Sequence, residues 1–151
     1  MSLTNSIKSI LAEQVTGYRT LLAVLQKERE CLVHVDPSGV ESLSKEKDTI
    51  VLKLKLLEDE RIRLVRAFAR DRSIDESSAL EALTKVTGDR DFQSLRLQLI
   101  SLLQGIMELN EFNRVLIERS SAVIRNALNF LGSLGVNLHG ASSGALLSKE
   151  V

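Results

Sequence analysis

Two histidines, one cysteine and a scatter of serines are what this chain offers to nucleophilic, proton-transfer or metal chemistry. His34 and His139 lie far apart, and neither has a second histidine four residues away or a neighbouring cysteine, so zinc-ligand spacing is missing. Cys31 stands alone, which rules out a disulfide within the chain and suits a reducing compartment. A phosphoacceptor histidine in a helical protein belongs mid-helix; His34 instead ends a helical pattern, just before Val35-Asp36-Pro37. Gly132-Ser133-Leu134-Gly135 follows a helix rather than a strand and lacks the lysine of a phosphate loop. The serines have no histidine partner, and Glu58-Asp59-Glu60 splay around a helix instead of facing one another across a cleft. The reading is a non-enzyme with no catalytic residue, no metal and no cofactor.

The informative polar residues are those that interrupt apolar seams. Lys47 and Arg61 sit two heptads apart in the seam of the second helical stretch, and Asn113 and Ser120 sit in that of the last. A lone Asn in such a seam sets register at a cost in stability. A buried cation needs a partner or a route to solvent. These four are expected to form a structural polar seam, and in a hairpin turning at Asp36, Lys47 falls opposite Glu28, with Arg61 opposite Glu13 or Gln14.

The elements that must position them are long helices. Leucine, isoleucine and valine dominate the apolar residues, aromatics contribute only 3%, and a single proline interrupts 151 residues, which favours an all-α fold. From Leu3 to about Val33, Ile7, Leu11, Tyr18, Leu21, Leu25 and Leu32 recur at steps of four and three. Asp36-Pro37-Ser38-Gly39 ends that helix: Asp36 caps the next one and Pro37 takes its first position. Val40, Leu43, Ile50, Leu54, Leu57, Leu64 and Phe68 carry the second helix, whose remaining face is densely charged. Ser73 and Glu76 have capping-box spacing ahead of a short helix, read as a lid or connector, and Asp89 or Asp91 caps the last helix. There one seam runs Leu95, Leu99, Leu102, Ile106, Leu109, Asn113, Leu116, Ser120, Val123, Ala127 and Phe130, with Leu103, Ile117, Ile124 and Leu131 beside it, all expected in the core. The expected architecture is an antiparallel bundle of three long helices with one short connecting helix. Its helices are placed near 3–34, 37–70, 74–86 and 91–132, and residues 133–151 form a flexible Gly/Ser-rich tail.

Twenty basic residues balance twenty acidic ones, so no field for nucleic acid exists. The uncharged run from Asn126 to Ser148 carries too many glycines and polar residues for a membrane span, and the N-terminus lacks a secretion signal. A cytoplasmic protein is expected. Leu134, Val136, Leu138, Leu146 and Leu147 in the tail, together with Leu128 and Leu131, are candidates to bind a partner.

Leu43 with Lys47, Leu57-Glu58 with Arg61, the segment Leu109-Asn110-Glu111-Phe112-Asn113-Arg114-Val115-Leu116-Ile117, and Ala127-Leu128-Asn129-Phe130-Leu131-Gly132 resemble, in order and spacing, the flagellar export chaperone FlgN family, over roughly residues 5 to 132. The resemblance implies a cytoplasmic chaperone that binds the C-terminal helices of hook-associated proteins, prevents their premature assembly and hands them to the flagellar export apparatus. A monomer is expected. The alternative is a structural coiled-coil adaptor that forms a homodimer through its long last helix.

Overall fold

Residues 2–133 are described by the structure, a computed structural model, and these are all-α, with four helices and no strand. Helix α1 spans Leu3–Val33, α2 Pro37–Arg72, α3 Ala79–Thr87 after a 3-10 turn at Glu76–Ser78, and α4 Asp91–Ser133. Among them no helix is long and apolar enough to cross a membrane.

Local chemistry sets the helix ends. Ser2 caps α1, its hydroxyl accepting from the Asn5 N–H at 3.2 Å. At the other end Val35 adopts a left-handed conformation (φ 52°), and the N–H groups of Val35 and Asp36 return to the carbonyls of Leu32 and Cys31. That pattern satisfies two carbonyls the helix would leave orphaned. Asp36 then serves α2, its carboxylate accepting from the Gly39 N–H at 3.0 Å. A Cβ on Gly39 would lie 2.4 Å from that carboxylate and 2.8 Å from the Cys31 sulfur, so the cap requires glycine there.

The same device closes α2, and it corrects the capping box expected at Ser73. Ser73 is left-handed (φ 55°), its N–H bonds the Arg70 carbonyl, and the Ile74 N–H bonds that of Ala69. The residue terminates the preceding helix instead of opening the next. Neither Asp75, ahead of the 3-10 turn, nor Ser78, ahead of α3, makes a side-chain cap bond. Asp89 meets the start of α4, accepting from the Asp91 N–H at 2.9 Å. Lys8 pairs with Asp89 and Asp91 at 2.7 and 2.8 Å.

Contacts gather the described residues into two compact units: unit 1 is 2–22 with 48–106, and unit 2 is 23–47 with 107–133. Unit 1 holds an apolar core in which Ile7 and Leu11 of α1, Leu64, Val65 and Phe68 of α2, Ala79 and Leu83 of α3, and Phe92 of α4 are buried together. Helix α3 is therefore part of the core and not a lid. Within unit 1, α1 and α2 run antiparallel, Gln14 facing Glu58 while Gly17 faces Leu54. A Cβ on Gly17 would sit 2.7 Å from a Leu54 methyl, which is why the seam tolerates a glycine in mid-helix.

Unit 2 is built differently. Val24, Leu25 and Val40 are buried, yet so are Glu28, Ser44, Lys47 and Asn113. Its centre is polar.

Candidate functional site

That polar centre joins residues far apart in sequence. Lys47 Nζ donates to Glu28 Oε2 at 3.0 Å, Asn113 Nδ2 donates to Glu28 Oε1 at 3.0 Å, and the same amide donates to the Leu25 carbonyl at 2.9 Å. Asn113 Oδ1 is buried without a hydrogen-bond partner. The ion pair expected between Lys47 and Glu28 is present, with both side chains under 10% exposed. Both oxygens of the Glu28 carboxylate are thus engaged, one by the Lys47 ammonium and one by the Asn113 amide, as a buried charge requires. The Asn113 contact to Glu28 escaped sequence reasoning, which weighed the two residues on separate helices.

In unit 1, Arg61 reaches Gln14 through a third residue. Glu58 Oε2 accepts from Arg61 Nε at 2.9 Å and from Gln14 Nε2 at 2.8 Å. The Arg61 guanidinium holds the Glu58 carboxyl below its ordinary value, Gln14 adding to the effect, and Glu58 in turn raises Arg61. Burial raises the nearby Tyr18 phenol, with the Glu58 charge contributing. Ser120, the fourth residue of the expected seam, is half-buried on α4 in unit 2.

The other residues singled out for chemistry are quiet. The exposed ring of His34 lies within hydrogen-bond distance of the Glu30 carbonyl, at 2.8 Å, and His139 lies outside the described residues. The Cys31 thiol is pushed up by burial and then by Asp36, which works against thiolate formation.

Helix α4 departs most from expectation. In unit 2 its seam was expected to be core, but Val123 is 68% and Phe130 63% exposed, Ala127 is exposed, and Phe112 beside the seam is 49% exposed. The cause is the mismatch between a strict heptad and a straight helix, which drifts about 20° per heptad. With Asn113 facing inward, Leu116, Val123 and Phe130 fall about 60°, 80° and 100° away at 100° per residue, whereas Ile117, Ile124 and Leu131 stay within about 40°. The second row thus turns in and the first row turns out. Leu109, Phe112, Leu116, Val123, Ala127 and Phe130 form a stripe along one flank of α4, half-buried at Leu109 and Leu116 and exposed at the other four. Leu128 and Leu131, expected to bind a partner, are half-buried. Leu134, Val136, Leu138, Leu146 and Leu147 lie outside the described residues.

The family model for FlgN protein matches residues 1–139. The chain belongs to the FlgN family. That is a family of flagellar chaperones, and the match takes in all four helices, the polar centre of unit 2 and the apolar stripe of α4. It reaches Leu134, Val136 and Leu138 but stops short of Leu146 and Leu147. Comparison with curated proteins and with solved structures returns no match.

Proposed function

We propose that this FlgN-family chain is a cytoplasmic flagellar type III export chaperone, not an enzyme. It binds the C-terminal amphipathic helices of hook-associated proteins and keeps them from assembling before export. The observation that carries the reading is the stripe on α4: an amphipathic helix supplies a complementary apolar face at heptad spacing, as in helix-in-groove recognition. Isolated exposed leucines are ordinary on a protein surface, but aligned aromatic and aliphatic residues over six turns of one helix are not. The folded part of the chaperone is the helical region, residues 1–132, read as three long helices bundled antiparallel with one short connecting helix. Leu134, Val136, Leu138, Leu146 and Leu147, within residues 133–151, add to the contact. Binding needs no nucleotide, and release follows competition at the export apparatus. The free chaperone is a monomer.

Titration of a hook-associated protein's C-terminal fragment into the full chain, into Phe112→Ser/Val123→Ser/Phe130→Ser, and into a chain lacking residues 133–151 tests this. The triple variant is expected to melt as the parent does and to bind at least a hundredfold more weakly, because each buried side chain is worth about 1.5–3 kcal/mol. Truncation is expected to preserve melting and weaken binding. Unchanged affinity in the triple variant would sink the reading. A parent that sediments as a dimer, and loses that state on substitution, would favour the adaptor.

A further inference from the structure

Unit 1 carries a cleft that the client reading does not use. Two cavities, of about 370 and 390 Å³, share Ser77, Leu80 and Arg96 and so run together; the second lies between α3 and α4, and the first extends onto α1 and α2 at Gln14, Tyr18 and Arg61. One end is walled by Leu80, Leu99, Ile100 and Leu103, the last two of them exposed. The other end is polar, with Glu81, Thr84, Lys85 and Gln93.

The charges along this cleft are mostly spent. Glu58 is held by Arg61, Glu76 by Arg66, and Glu81 by Lys85. Arg96, at the junction of the two cavities, has no ion pair or hydrogen bond among the described residues. An incoming carboxylate therefore meets one unspent guanidinium and no unneutralised acid, next to an apolar wall that accepts aliphatic side chains. Strand addition needs a sheet edge, and the described residues contain no strand; polyproline segments dock on aromatic-lined grooves, whereas Tyr18 is the single aromatic residue lining these cavities. Both walls are helices, which leaves a helix as the form of peptide that enters with its own backbone satisfied.

We propose that this cleft is a second partner site, which takes an acidic amphipathic helix: leucine-type side chains one turn apart against Leu80, Leu99 and Leu103, with a carboxylate on Arg96. The site is separate from the α4 stripe of unit 2 and stands or falls without it.

Two synthetic helical peptides, with leucines at i and i+4 and either glutamate or glutamine at i+7, serve as probes against the 15N-labelled full chain. The glutamate peptide is expected to shift amide resonances within residues 77–103. Replacing its glutamate by glutamine, or using Arg96→Gln, is expected to weaken binding about fivefold, the size of a partly exposed ion pair, without compounding when combined. Arg96→Glu should prefer a lysine peptide. Arg96 is exposed, so these variants keep the fold, and the hook-associated fragment should bind Arg96→Gln as it binds the parent. Equal affinity of parent and Arg96→Gln for the glutamate peptide, shifts confined to residues 109–130, or no shifts at all would overturn the proposal.

Discussion

At the scale of residues, the two polar clusters behave differently because one is dry and the other wet. Glu28, Lys47 and Asn113 are each buried, so removing one member strands the others. Glu28→Ala leaves the Lys47 ammonium without its counter-ion, and a loss of about 3–5 kcal/mol in urea denaturation is expected. Replacing the set together, as Glu28→Met/Lys47→Met/Asn113→Leu, deletes every unsatisfied group at once and should leave stability equal to the parent's or higher, since desolvating the pair costs about what it returns. If Glu28→Ala costs no more than a surface change, the buried pair does not help to hold unit 2 together. Glu58 is the wet counterpart, half-exposed in unit 1. Its pKa is lowered in the folded state, chiefly by Arg61, from an ordinary 4.5. Its contribution is therefore complete above that value and is lost as pH falls through the depressed one. Melting followed from pH 6 to pH 3 should show an acid-side decline that is shallower in Glu58→Gln. Equal slopes would show that Glu58 adds nothing to acid sensitivity.

At the scale of elements, what matters is how the helices end. Val35 is a β-branched residue in a left-handed conformation and is well exposed, so it strains the backbone and packs against little. Relief of that strain by Val35→Gly gains about 1–2 kcal/mol, against which the freer unfolded chain returns about 0.4–1. A net gain of about 1 kcal/mol is expected, read as a rise in the denaturation midpoint. Across the same turn, Asp36→Ala removes the cap on α2 and should cost about 1 kcal/mol. Opposite signs from residues next to each other would separate backbone strain from capping; a loss in Val35→Gly would mean the turn is held by side-chain contacts instead.

For the whole molecule, the contrast between the two units predicts uneven local stability. Unit 1 buries Phe92, Leu83, Ile7 and Leu11 in one apolar cluster, whereas α4 beyond Asn113 contributes no fully buried residue to unit 2. Amide hydrogen exchange should accordingly be slower for residues 95–99 of α4, where Leu95 and Leu99 pack on that cluster, than for 117–130, because local opening costs less where fewer apolar contacts break. Uniform protection along α4 would contradict this. Easier opening there would fit the client surface proposed for this stripe.

The sequence by itself determined that the described residues are all-α, since the apolar residues repeat at helical spacing and almost nothing breaks them. It also determined the Asp36-Pro37 turn and hence the pairing of Lys47 with Glu28: a proline-anchored cap sets the hairpin register, and counting from it is enough. The resemblance to FlgN was readable in the order of its helical segments, and the family match over residues 1–139 agrees. Tertiary structure alone decided which row of α4 faces inward. Two rows of similar hydrophobicity compete there, and a drift of about 20° per heptad, invisible in a list of spacings, chooses between them. Ser73 was misread for a related reason: capping-box spacing is local, but the residue's conformation is taken by the end of α2, with Ile74 packed against the core of unit 1. The bond from Asn113 to Glu28 joins residues 85 positions apart, and no periodicity within one helix carries information across that distance.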